Sequence, residues 1–319
     1  MLQDNSWGIM IHKLNLNDNG NNFFIKREDL IPFSFGGNKV RIGEKFIEDA
    51  LDKKCDVIIS YGSSKSNLNR AMISLCKEKN IQCYIVSPVD IFEKELNFNQ
   101  KLNFLNIKNE NIYKCKKEEV AITINNLMTK LKNEGKNPYY INGNIYGKGN
   151  EKTAVKAYRE CYKEIIKYEE ENNIHFDYVF LAVGTGMTYS GLVLEKIISK
   201  TENKKIIGIS IARKKEQGIE SIKRYLQSEL KEEEIKNNEI YFIDDYLAGG
   251  YGNYNEEIKN IIIKTYQNEG IPLDTTYTGK SFYGMIKYLE KNKIKRKNIL
   301  FIHTGGTPLF FDNMKEWYK

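Results

Sequence analysis

Tyr178-Val179-Phe180-Leu181-Ala182-Val183 runs directly into Gly184-Thr185-Gly186-Met187-Thr188 and then into a helical pattern from Tyr189 to Lys200. Six apolar residues without alternation fit a strand covered on both faces, and the glycine-threonine turn separates it from a helix. Ile206 to Ile211 supplies the next strand, which completes a βαβ unit. Downstream the logic repeats: Ile240 to Ile243, the loop Gly249-Gly250-Tyr251-Gly252-Asn253-Tyr254, and a helix from Glu256 to Asn268. Asp274 to Lys280 precedes another helix, and a final strand from Asn298 to His303 runs into Thr304-Gly305-Gly306-Thr307-Pro308. Upstream, Val40, Ile42, Phe46 and Ile47 recur at helical spacing between Gly37 and Ala50. Asp56 to Tyr61 is a strand ending in the polar loop Gly62-Ser63-Ser64-Lys65-Ser66-Asn67, followed by a helix through Ala71, Met72, Leu75 and Cys76 and a strand from Gln82 to Ser87. Residues 91–135 read as helices with a strand-like break near Asn111-Ile112-Tyr113, 137–148 as a loop, and Glu151 to about Glu169 as a long helix. Such alternation predicts an α/β fold with a mostly parallel sheet and helices on both faces.

The totals narrow the function. At 319 residues and 41% hydrophobic content the chain can bury a core large enough for two lobes. No stretch approaches the ~18 consecutive apolar residues of a membrane span. Met1 to Asn22 is polar and lacks the order of a signal peptide, so a cytoplasmic protein is expected. The net charge of +7 is small for this length, and lysines alternate with glutamates, as in Lys116-Lys117-Glu118-Glu119. That is a solvated surface and not a nucleic-acid stripe. Cys55, Cys76, Cys83, Cys115 and Cys161 form no CxxC pair, and with His12, His175 and His303 give no zinc-ligand spacing; no metal is expected.

In folds of this kind ligands sit beyond the carboxyl ends of the strands. At Gly184 to Thr188, free backbone N–H groups and the dipole of the following helix favour a phosphate dianion, although a plain tight turn would have the same composition. The turn lacks both the Gly-Lys-Ser/Thr ending of a Walker loop and the third glycine of a dinucleotide fingerprint. Lys39 lies in Ser34-Phe35-Gly36-Gly37-Asn38-Lys39-Val40-Arg41, just after two glycines that let a flat ligand approach. Desolvation there would lower its pKa and make it a nucleophile toward an aldehyde; a solvated lysine in a glycine turn is the alternative. Ser66 and Asn67 open a helix, where capping is the commoner role. Tyr251 and Tyr277 sit in glycine-containing loops, where packing is the commoner role. Together, an amine for an aldehyde, a phosphate cradle, an asparagine for a phenolic oxygen and late hydroxyl residues match the needs of pyridoxal 5'-phosphate.

The chain resembles the 1-aminocyclopropane-1-carboxylate deaminase / D-cysteine desulfhydrase family of fold type II (tryptophan synthase β-like) pyridoxal phosphate enzymes. The resemblance rests on Lys26-Arg27-Glu28-Asp29-Leu30, Gly36 to Arg41, Ser66-Asn67, Gly184 to Thr188, Gly250-Tyr251-Gly252, Tyr277-Thr278-Gly279-Lys280 and His303-Thr304-Gly305-Gly306, in the family's order over nearly the whole length. It implies two open, twisted, mostly parallel sheets flanked by helices: a large domain of residues 1–42 and 149–319, a small inserted domain of 43–148, and the cofactor between them. By the same resemblance Lys39 carries the cofactor's aldehyde as a Schiff base, Asn67 bonds the ring hydroxyl, and Gly184, Thr185, Gly186, Met187 and Thr188 hold the phosphate. Ser66 would lie near the substrate carboxylate, Tyr251 and Tyr277 would face the reacting side chain, and a homodimer is implied.

Thr278 separates the branches. Ring-opening members of the family carry glutamate at this place, which keeps the pyridine nitrogen protonated and the ring a strong electron sink. A threonine offers a neutral hydrogen bond, sufficient where a thiolate leaves from Cβ. Three departures border the substrate site: Lys65 in place of a common Gln, Leu68-Asn69 where His often follows, and Thr275-Thr276 where Pro-Val is usual. The expected activity is β-elimination from a small D-amino acid, D-cysteine first, giving pyruvate, hydrogen sulfide and ammonia. The alternatives are deamination of the cyclopropane acid, another β-replacing or racemising reaction, and a non-catalytic protein that binds the cofactor or an amino acid.

Overall fold

The computed structural model describes residues 10–88, 96–201 and 203–317. The helical expectation for 91–95 lies outside these residues. In chain order the elements are β1 (Ile11–Asp18), β2 (Asn21–Arg27), α1 (Asn38–Asp52), β3 (Val57–Tyr61), α2 (Asn67–Glu78), β4 (Gln82–Pro88), α3 (Phe98–Asn106), β5 (Ile112–Cys115), α4 (Val120–Asn133) and β6 (Pro138–Tyr140). They continue with α5 (Glu151–Asn172), β7 (Tyr178–Val183), α6 (Met187–Ile198), β8 (Lys205–Ser210), α7 (Lys215–Leu226), α8 (Glu232–Lys236), β9 (Tyr241–Ile243), α9 (Glu256–Glu269), α10 (Thr278–Lys291), β10 (Asn298–His303) and α11 (Thr307–Trp317).

The chain divides into two compact units, Met1–Asn38 with Val155–Lys319, and Lys39–Ala154. The first carries a six-stranded sheet of order β1-β2-β10-β7-β8-β9, in which only the edge pair β1–β2 is antiparallel. Its core is built where Ile25, Phe180, Ile207, Ile299 and Phe301 of the strands meet Ile258, Ile262, Phe282 and Met285 of α9 and α10. Burial of such a side chain is worth about 1.5–3 kcal/mol. The second unit carries a four-stranded parallel sheet of order β5-β4-β3-β6. The α/β class with two mostly parallel, helix-flanked sheets is therefore present.

Two local readings are corrected. Residues 137–148, read as a loop, begin with β6, which pairs Pro138, Tyr139 and Tyr140 with Val57, Ile58 and Ile59. A three-residue edge strand opening on proline is too short to show alternation, and the edge is where a proline is tolerated. Helix α10 already starts at Thr278, because Asp274 caps it from outside the apolar pattern: its Oδ1 accepts the N–H groups of Thr276 and Tyr277, and its Oδ2 accepts that of Thr278.

Candidate active site

Lys39 is the second residue of α1, in the first turn as its spacing predicts. The chain enters that helix over a charged platform. Lys26 Nζ lies 3.1 Å from Glu28 Oε1 and 2.7 Å from Glu164 Oε2, and Arg27 forks onto Asp29 at 2.8 and 2.6 Å. Above it Ser34, Phe35, Gly36 and Gly37 all hold positive φ. At Gly36 (φ +61°) a Cβ would stand 2.2 Å from the Asp29 carbonyl oxygen, so only glycine fits. The N–H of Gly37 donates to Glu28 O at 2.7 Å and that of Asn38 to Thr304 O at 3.0 Å. Glu28, Glu164 and Cys161 have ligand atoms close enough to hold a metal, but the Lys26 ammonium already bridges the two carboxylates.

Burial lowers the pKa of Lys39 to about 8. The residue keeps some exposure along its length, so the shift reports protein atoms crowded around the amine, and desolvation is its one cause. At pH 7 about a tenth of such amines are free, against a few in ten thousand for an ordinary lysine. That is what attack on an aldehyde requires.

Helix α6 begins at Gly186, which is left-handed (φ +97°) and offers no side-chain cap. The first N–H groups of the helix have no carbonyl one turn earlier to receive them, and the dipole adds positive potential. The turn is fixed by Ser221 Oγ, which donates to Thr185 O at 2.8 Å, and by Arg213 Nη1 at 3.3 Å. Asn38 Nδ2 donates to Thr188 Oγ1 at 2.8 Å, so the residue before Lys39 is tied to this turn. Gly184 is half-buried, Thr185 exposed, and Gly186, Met187 and Thr188 are buried.

Ser66 caps α2: its hydroxyl oxygen accepts the N–H of Asn69 at 3.2 Å. Asn67 follows as the first helical residue, and its Oδ1 is buried without a partner. An orphaned amide costs free energy unless a ligand completes it, and the amide can turn to present either oxygen or nitrogen. This is the fit expected of a residue that meets the ring oxygen of pyridoxal phosphate. Asn67→Leu is therefore expected to raise the melting temperature of the apoprotein while weakening cofactor binding about tenfold. Thermal melts of apoprotein and a cofactor titration give the two readings.

Composition conceals the residues that hold this loop. Asn69, noted above only as a departure, accepts the Ser60 hydroxyl at 2.8 Å and donates to Gly62 O and Ser63 O at 3.2 and 3.3 Å. From α3, Asn99 donates to Lys65 O at 2.7 Å, Gln100 to Ser64 Oγ at 2.8 Å, and Asn103 to Ser64 O at 2.8 Å. Their recurrence at helical spacing was the available signal.

Tyr251 and Tyr277 meet at their hydroxyls, 2.7 Å apart. Burial, then the nearby Tyr251, hold the Tyr277 phenol well above its usual pKa. Thr278 is fully buried, and its hydroxyl donates to Asp274 Oδ2 at 2.8 Å while accepting the Asp274 N–H at 2.9 Å. At the end of β10 His303 is also buried; its Nε2 lies 2.7 Å from Pro272 O and must carry the proton, leaving Nδ1 to accept Gly305 N–H at 3.2 Å.

A family model described as pyridoxal-phosphate dependent enzyme matches residues 9–305. D-cysteine desulfhydrase of Serratia proteamaculans (strain 568) is 29% identical over 301 residues, which cover 92% of this chain and 88% of that protein. Among solved structures, an ACC deaminase homologue is 28% identical with a TM-score of 0.81, over 97% of this chain and 93% of that one. A hydrogen sulfide-producing enzyme from Fusobacterium nucleatum is 22% identical with a TM-score of 0.63, over 93% of each chain, and shares the fold. A desolvated lysine behind two glycines, an open helix terminus and a buried orphan amide all suit that cofactor, and with them the match over nearly the whole length places the chain in the pyridoxal-phosphate dependent enzyme family, fold type II.

Proposed function

We propose that the chain is a lyase that eliminates the β-substituent of a small D-amino acid, D-cysteine first, releasing pyruvate, ammonia and hydrogen sulfide. The observation that carries the proposal is the placement of Lys39 in the first turn of α1 behind two positive-φ glycines, in a chain with threonine and not an acid at position 278. Lys39 would hold the cofactor's aldehyde, Asn67 its ring oxygen and the Gly184–Thr188 turn its phosphate. When bound, pyridoxal phosphate supplies an electrophilic carbon for the substrate amine and a ring that draws electrons from Cα.

The chain's own groups do the rest. Lys39 Nζ would take the Cα proton, a task suited to a base with a pKa near the working pH. Tyr277 stays protonated because burial raises its pKa, so its hydroxyl, oriented by Tyr251, serves as donor toward the departing sulfur. Ser66 uses its oxygen to cap α2 and keeps its proton for the substrate carboxylate. Thr278 has committed its proton to Asp274, and the Asp274 carboxylate is taken up by three backbone N–H groups and that hydroxyl. Position 278 offers no acid that would keep the nitrogen of a bound ring charged, which would favour a substrate with an easily lost thiolate at Cβ.

The second reading, ring-opening deamination, is favoured by the likeness to the ACC deaminase homologue and opposed by Thr278. A homodimer belongs to the proposal through the family resemblance, and a cytoplasmic location through the polar stretch from Met1 to Asn22; light scattering checks the assembly. The deciding assay measures sulfide and keto acid from D-cysteine, L-cysteine and the cyclopropane acid. D-cysteine is expected to be turned over fastest; equal rates for the two enantiomers, or faster release from the cyclopropane acid, would reject the substrate assignment.

A further inference from the structure

We infer that Lys280 is a positioning residue for Tyr251: its buried ammonium fixes the glycine loop from which that tyrosine projects. The inference rests on the reading above that Tyr251 and Tyr277 face the reacting side chain. Lys280 lies in the first turn of α10 and is 0% exposed. Its Nζ donates to Gly250 O at 2.7 Å, Leu247 O at 2.8 Å and Ile211 O at 3.3 Å. An ammonium has three donors and no acceptor, and here three carbonyl oxygens receive them. A neutral amine would supply two and set its lone pair against the third oxygen, so the geometry fits the charged form.

The three carbonyls come from two places. Ile211 follows the end of β8, whereas Leu247 and Gly250 close the turn just before Tyr251. That turn needs an anchor. Ala248, Gly249, Gly250 and Gly252 all hold positive φ, at +49°, +89°, +109° and +78°. Its own bonds are few: Gly250 N–H to Leu247 O at 3.0 Å, Asn253 N–H to Gly250 O at 3.3 Å, and Asn253 Nδ2 to Gly249 O at 3.0 Å. A glycine-rich turn loses much conformational freedom on ordering, so a fixed partner is needed to hold one arrangement. Tyr251 itself is 52% exposed, and its hydroxyl meets that of Tyr277. The start of α10 thus serves both tyrosines: Tyr277 stands at its N-cap, and Lys280, three residues on, grips the loop of Tyr251.

The experiment uses the full chain loaded with pyridoxal phosphate. Lys280→Met keeps the unbranched stem and removes the donors. Amide exchange in 247–253 is expected to speed up, kcat to fall roughly a hundredfold as misplaced groups do, and KM and the visible spectrum of the cofactor to stay close to wild type. In a Tyr251→Phe background the same substitution is expected to cost little further kcat. Lys280→Ala leaves room for a small cation, and methylammonium is expected to restore loop protection and part of kcat where equal sodium does not. Unchanged exchange in 247–253, a full additional loss in the Tyr251→Phe background, or no methylammonium effect in Lys280→Ala would each overturn the inference. Exchange is read without turnover, so it decides Lys280 even if no amino acid proves to be a substrate, which would instead defeat the reading of function.

Discussion

Lys39→Met is expected to abolish covalent cofactor binding and to lower turnover by at least about 10²–10⁴, the share that a positioned proton-transfer group alone contributes. The same substitution is expected to stabilise the apoprotein at neutral pH. Burial is the cause that lowers the Lys39 pKa to about 8, so the fold disfavours the ammonium. The unfolded chain, titrating near the usual 10.5, binds more protons between those values. The contribution of Lys39 to apoprotein stability therefore rises with pH from about 8 to about 10.5, and below 8 the lysine carries its full penalty. Methionine has a similar unbranched stem and no charge. Lys280, also lowered to about 8 by burial, titrates in the same window, but the difference between wild type and Lys39→Met cancels its share. A variant that loses activity and melts lower at pH 7 would show that Lys39 is there for packing. By the same shift the rate of cofactor uptake by apoprotein is expected to climb about tenfold per pH unit up to about 8 and then level.

Asp274→Ala is expected to cost about 3–5 kcal/mol, because its donors are left without an acceptor where water does not reach. The carboxylate is 1% exposed and accepts the N–H groups of Thr276, Tyr277 and Thr278 and the Thr278 hydroxyl. At roughly 2–4 °C per kcal/mol the melting temperature falls by about 6–20 °C. Asp274→Asn keeps one oxygen acceptor and costs less than half as much. Burial, outweighing the hydrogen bonds, raises the Asp274 pKa above the ordinary 3.8. The folded chain thus holds a proton that the unfolded chain has released, and this group's contribution falls as pH rises through the window just above 3.8. Asp274→Asn removes that slope. Because the same carboxylate starts α10 and fixes the Thr278 hydroxyl, the alanine variant also disturbs Tyr277, and catalysis falls together with stability.

Most of the architecture is legible in the chain because buried parallel strands announce themselves. Tyr178 to Val183 and Asn298 to His303 are apolar runs too short for helices, each ending in a glycine turn, and both are strands of the large sheet. β6 is not legible: three residues opening on proline carry no period, and its place is set by pairing with β3. β1 is hidden for a related reason: in the edge strand Ile11–Asp18 the buried Ile11 and Leu14 stand three residues apart and the pairing shifts register between Lys13 and Asn17, so no period shows and the stretch reads as a polar terminus. In the site, Lys39 and the Gly184–Thr188 turn stand out because their chemistry is local, a glycine approach and a helix start. The roles of Asp274, Asn69, Asn99, Asn103 and Lys280 are not local. Each acts through carbonyls or N–H groups that the fold brings to it, two to four residues away for Asp274 and thirty or more for Asn99, Asn103 and Lys280. Sequence spacing alone does not contain those contacts.

The account depends most on one amine taking the cofactor's aldehyde. Sodium borohydride reduction of the loaded protein, followed by digestion and mass spectrometry, reads that bond directly. The cofactor's mass is predicted on the peptide that carries Lys39; finding it on the peptide of Lys65 or Lys280, or on no peptide at all, would contradict the account.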